Sequence, residues 1–197
     1  MTNTRPSTAK LALLALLTAL VAILAYFGGF IKIGGLASIS LTLIPVVLGA
    51  ALCGPIAGAW LGAVAGIVFF LTPDAAFWFG MSVPGTVITV LVKGAASGLL
   101  AGVAYSALEK VNRYFAVMVA AIVCPVVNTG IFILGCFVFF MDAITAGAAG
   151  EGMSVAMYIL LFYVGLNFVF ELLSNIILSP VVVKLINIKK DSAQRSA

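Results

Sequence analysis

Residues Ile44–Gly66 read IPVVLGAALCGPIAGAWLGAVAG, an apolar run broken only at Gly54-Pro55, with glycines at 54, 58, 62 and 66. Proline is accepted in the first turn of a helix and four residues make about one turn, so a helix starting at Pro55 carries these glycines on one face. In lipid no hydrophobic force joins helices, and small residues every fourth position let two backbones approach until dispersion contacts hold them. The stretch describes a close-packed membrane helix. Gly94, Gly98 and Gly102 repeat the spacing farther along and are assigned to the same kind of packing.

The composition agrees with this reading. Of 197 residues, 64% are hydrophobic and 8% charged, well outside the range of soluble domains. Strands of an outer-membrane barrel would alternate apolar and polar residues, whereas these apolar runs are unbroken. The expected fold is all-α: a polytopic membrane protein built as a six-helix transmembrane bundle, one membrane domain over residues 1–197.

About 20 residues are needed to cross about 30 Å of hydrocarbon. The expected spans are 10–27, 41–52, 55–71, 85–108, 114–140 and 156–186. The second is short for a straight crossing and is tolerated only if other helices cover it. The sixth is long enough to tilt or protrude. The first follows Arg5 and Lys10 as a signal peptide would, but about 16 apolar residues ending in Tyr26 and Phe27 read as a retained helix.

Lysine and arginine set the orientation. An inside amino terminus places Arg5, Lys10, Lys110, Arg113, Lys184, Lys189, Lys190 and Arg195 in the cytoplasm, against Lys32 outside. Both termini are therefore expected in the cytoplasm. The net charge of +4 then belongs to a rim facing water and anionic lipid, and no nucleic-acid partner is expected.

Several chemistries are excluded. The chain has no histidine, which removes a Ser-His-Asp relay and the usual histidine metal site. Cys53, Cys124 and Cys136 stand far apart in or beside apolar spans and read as small hydrophobes. A phosphate-cradling G-x-x-x-x-G-K-[ST] loop is missing, so ATP hydrolysis of that type must come from elsewhere. Neither an enzyme nor a bound cofactor or metal is expected.

Polar residues inside spans are costly and mark candidate functional positions. Thr86, Thr89 and Lys93 share one face of the fourth span, with Lys93 roughly 13 Å from its outer end. Asn167, Glu171 and Asn175 form a stripe at spacings of four on the sixth span, and Asn128 follows Cys124-Pro125 on the fifth. Lys93 and Glu171 fit either a ligand site or an interhelical ion pair that fixes the bundle. A lysine suits a carboxylate or phosphate, and asparagines suit hydroxyls and amides or serve as interhelical glue. Two stretches read as outer loops. TPDAAFWFGMSVPG (72–85) carries Phe77, Trp78 and Phe79, either interfacial anchors or a lid, and MDAITAGAAGEGMS (141–154) reads as mobile.

The small size, the six spans, LIPVVLGAALCGPIAGAWLGAVAG (43–66), LVKGAASGLLAGVAYSALEK (91–110) and NFVFELLSNIILSPVVVKLI (167–186) together resemble the substrate-binding S components of energy-coupling factor (ECF) transporters. The resemblance covers nearly the whole chain. It implies a multi-pass protein of the prokaryotic plasma membrane that takes a vitamin or related micronutrient from outside. Such a subunit docks on a membrane coupling protein carrying two cytoplasmic ATPase subunits, and topples to release its ligand inside. The family's alanine pair for docking matches Ala15 and Ala19, flanked by Ala12 and Ala22. The polar faces of the spans and the outer loop make Lys93, Thr86, Thr89, Asn128, Asn167, Glu171, Asn175 and Trp78 the candidate substrate-binding residues.

IPVVLGAALCGP is most similar to the pantothenate-type members, which implies pantothenate as ligand. Riboflavin-type members carry acidic residues before the proline of the second span, where this chain has none between Ser38 and Pro45, so riboflavin or another vitamin stands as the alternative. Glu171 with Trp78 keeps cationic thiamine open. From other classes, a solitary transporter or channel, or a non-transporting scaffold or immunity protein, also fits the composition.

Overall fold

The computed structural model describes residues 8–28, 32–33, 37–38 and 41–195, so that Arg5 lies outside the described residues. Nine α-helices account for nearly all of them: α1 (Thr8–Gly28), α2 (Leu43–Cys53), α3 (Pro55–Phe69), α4 (Pro73–Met81), α5 (Val83–Leu108), α6 (Arg113–Phe139), α7 (Met141–Gly150), α8 (Val155–Tyr158) and α9 (Gly165–Arg195). A π-helical segment, Ile159–Val164, joins α8 to α9. A two-residue antiparallel ladder, β1 (Lys32–Ile33) with β2 (Ala37–Ser38), stands between α1 and α2, and β2 touches α9.

Helices α1, α5, α6 and the Asn167–Ile188 part of α9 are each long and apolar enough to cross a membrane. Counting two bent helix pairs as spans brings the number to six. The chain is thus the all-α, multi-pass bundle that its composition demands. At 1.5 Å per residue α2 extends about 16 Å, half of the hydrocarbon layer. Its sides are covered instead, with Val46, Val47 and Ala50 wholly buried.

The glycine ladder is where α3 meets α5. A Cβ on Gly58 would collide with the backbone carbonyl of Gly98, and one on Gly62 with that of Gly94; the reverse holds for Gly98 and Gly94. The antiparallel contact continues from Gly66 against the Val90 carbonyl at one end to Gly102 against Pro55 at the other. Gly54 serves differently. A Cβ there would meet nothing within 4 Å, but its φ of 97° lies in the left-handed region that lets the chain reverse between α2 and α3.

Helix α6 packs antiparallel on the neighbouring side of α5, with Gly85 against Phe139 and Gly135 against Thr89. Arg113, at the start of α6, donates through Nη1 to Asn187 Oδ1 near the end of α9. One main core, containing Leu17, Val21, Val46, Val47, Leu61, Tyr105, Val117 and Ile186, fills the end of the bundle marked by Lys10, Lys110, Arg113 and Lys184.

At the opposite end, the two stretches read as loops are helical. Pro73 opens α4 at its first turn, and α7 contains four alanines, the best helix formers. Helix α4 bends 85° from α3, and α7 bends 95° from the segment Val155–Val164. Ala75, Ile144 and Ala148 are fully buried, which pins both helices. The helix over Met141–Gly150 is not expected from a stretch that rich in glycine, the residue with nearly the lowest helix propensity.

The ladder makes a sharp comparison possible. Gly62→Val should destabilise the protein by about 2–3 kcal/mol, because its neighbour is rigid backbone. Gly130→Ala, where a Cβ meets nothing within 4 Å, should be near neutral. Thermal unfolding in detergent checks both, and equal midpoints would remove the ladder from its structural role.

Candidate functional site

The polar residues of the separate spans meet in one cavity of about 690 Å³. Its walls come from the last residues of α1 and α3, the first of α2, α5 and α9, the second half of α6, and α4. In an antiparallel bundle these all lie at one end, away from the core cluster and from Lys10, Lys110, Arg113 and Lys184. Gly62, Gly66 and Gly94 of the ladder form part of the lining, so the close contact of α3 with α5 closes the cavity below.

Seven of the eight residues expected to meet ligand line this cavity: Trp78, Thr86, Thr89, Lys93, Asn128, Asn167 and Glu171. Asn175 does not. It lies one turn deeper on α9, buried, and its Nδ2 donates back to the Glu171 carbonyl at 2.8 Å. Of the stripe read from spacing, two residues are therefore cavity wall and the third is internal helix bonding.

Lys93 projects from α5 toward α6, with its ammonium 4.9 Å from the Phe132 ring centroid and 6.0 Å from that of Phe69. Both rings are within the range where a cation is attracted to a π face. Glu171 faces the cavity from α9 and is 6% exposed. Its Oε1 accepts from Asn167 Nδ2 at 3.4 Å, while Oε2 is buried and has no hydrogen-bond partner among the described residues. Asn167 Oδ1 is buried and unpartnered as well. No hydrogen bond from the Lys93 ammonium reaches Oε2.

Thr86 has a local task. Its hydroxyl donates toward the carbonyls of Ser82 and Trp78, 2.7 and 2.8 Å away, and so fastens the end of α4 to the start of α5. Ser82 also caps α5 by accepting from the Gly85 amide at 3.2 Å. Trp78 is held between rings of Tyr163, Phe132, Phe140 and Phe77, with centroids 5.0 to 5.4 Å away. These rings, with Tyr158, Phe162 and Phe69, make one side of the cavity aromatic.

The sequence reading missed most of that aromatic wall, and also Thr72, Asp74 and Thr129. Aromatic residues are scattered over every span but the second, so no periodicity singles out those that converge. Among the described residues no cluster of three or more cysteines, aspartates or glutamates could hold a metal ion. Cys53, Cys124 and Cys136 are free and buried.

On α1 the expected docking residues Ala15 and Ala19 are exposed, as is Ala12, while Leu17 and Val21 face the core. The exposed side of the helix thus carries the small residues.

No curated protein and no solved structure matches the chain. Residues 9–186 match the family described as "ECF transporter, substrate-specific component". This family consists of non-catalytic transport subunits of the membrane, and the match takes in every helix that builds the cavity. The chain belongs to the substrate-specific components of ECF transporters.

Proposed function

We propose that this protein captures pantothenate from outside the cell, docks through α1 on a membrane coupling protein with two cytoplasmic ATPase subunits, and releases the vitamin inside. The observation that carries the reading is Lys93, a cation deep in an apolar helix that lines a cavity of about 690 Å³. That volume is within the usual range for small-molecule sites. The cavity opens at the end opposite Lys10, Lys110, Arg113 and Lys184, and the positive-inside rule makes that end external.

Pantothenate carries a carboxylate, an amide and hydroxyls. Lys93 supplies a compact charge for the carboxylate, and Asn128, Thr129 and Asn167 line the same space with amides and a hydroxyl. The aromatic wall around Trp78 favours a second reading, a vitamin with a flat ring stacked against Tyr163 or Phe132. Mass spectrometry of the molecule that co-purifies with the protein separates the two; a ring-bearing vitamin there would displace pantothenate.

Lys93→Ala should weaken pantothenate binding by more than about tenfold, since a desolvated charge contact is lost. Titration calorimetry reads this directly, and unchanged affinity would return Lys93 to a structural role. Replacing Ala15 and Ala19 with tryptophan should abolish co-purification with the coupling protein while ligand affinity stays as in the wild type. Undisturbed assembly would move docking to another surface.

A further inference from the structure

Two buried oxygens on the α9 wall have no hydrogen-bond partner among the described residues, Glu171 Oε2 and Asn167 Oδ1. They are neighbours by construction. A carboxylate only accepts, so Asn167 must turn its amide nitrogen toward Glu171 Oε1, and this leaves Oδ1 as a free acceptor one helical turn away. Asn175 reinforces the arrangement from below by bonding to the Glu171 carbonyl. Both residues line the cavity that Lys93 enters from α5.

A buried acceptor without a donor is destabilising, and an unpaired carboxylate oxygen more so. Such a deficit persists in a folded protein when something else supplies the missing donors. Lys93 does not supply them, because Oε2 has no partner. We infer that Glu171 and Asn167 form a donor-recognising subsite, which with Lys93 selects ligands carrying both an anionic group and N–H or O–H donors. A plain organic acid would satisfy Lys93 and leave the α9 oxygens unpaired. A plain cation would satisfy α9 and meet the charge of Lys93. The ligand class is therefore a small polar acid bearing hydroxyl, amide or amine hydrogens.

This inference rests on the reading that the cavity holds the ligand, but its test separates the two. Glu171→Gln keeps the side chain's shape and its Oε1 acceptor while replacing Oε2 with a donor. In the ligand-free full-length protein it should raise the unfolding midpoint by about 2 °C or more, because a buried oxygen that lacks a donor is removed. The same variant should lose about tenfold in affinity for pantothenate and little for its hydroxyl-free analogue, so that discrimination between the two collapses. Lys93→Gln should weaken both probes and preserve the discrimination. A lowered midpoint in Glu171→Gln, or discrimination unchanged from the wild type, assigns Glu171 to holding the bundle and overturns the subsite. If the wild type binds no pantothenate, the ligand proposed above fails, while the midpoint still decides: a rise supports the subsite and a fall overturns it.

Discussion

The backbone contact between α3 and α5 sets the position of everything else. At Gly58–Gly98 and Gly62–Gly94 each carbonyl occupies the place where its partner's Cβ would stand. Dispersion and weak Cα–H···O contacts at that separation replace the hydrophobic force that lipid does not provide. With these two helices locked, α2 lies against both, α1 against α3, and α6 against the other side of α5. A single larger residue on the ladder would separate the pair by more than neighbouring side chains can fill.

The same contact explains where the cavity is. The ladder ends at Gly66 against Val90, and the next residues outward on α3 and α5, Phe69 and Thr86, line the cavity. Polar side chains follow from that geometry. Lys93 and Thr89 stand about 100° around α5 from Gly94 and Val90, turned from the contact with α3 toward α6. Gly135 leaves α6 room for Thr89 there. The α4 and α7 helices, which turn sharply at this end, then close the aromatic side.

How much of this was legible depended on whether a signal was periodic. Fold class, the ladder face and the convergence of Lys93, Asn128, Asn167 and Glu171 follow from spacings of three and four residues or from charge in an apolar run. Asn175 matched the same spacing, yet it bonds its own helix, because spacing fixes a face and not a depth. Helices α4 and α7 were hidden by glycines and prolines that mark loops in general; here Pro73 starts a helix, and α7 is held by the buried Ile144 and Ala148. Of the aromatic wall only Phe77 and Trp78 gave a signal. Trp78, Phe132, Phe140 and Tyr163 become a group only when three separate segments meet.

Small residues also show why burial has to be known before a role is assigned. Gly58 and Gly62 at spacing four and Ala15 and Ala19 at spacing four are the same pattern in sequence, but the first pair is buried against backbone and the second is exposed. A close-packing motif that the bundle itself leaves unused is a surface on which another helix can lie. Leu16, Leu20 and Ile23 stand exposed around the alanines. They would rim a contact whose floor is smooth, so the partner helix could approach closely at the alanines and still slide or tilt against them. On the docking proposed above, a surface that lets the whole bundle reorient would gain from having no polar bonds to break, and the exposed side of α1 between Leu11 and Ile23 offers only Thr18, whose hydroxyl is already taken by its own helix and by Trp60.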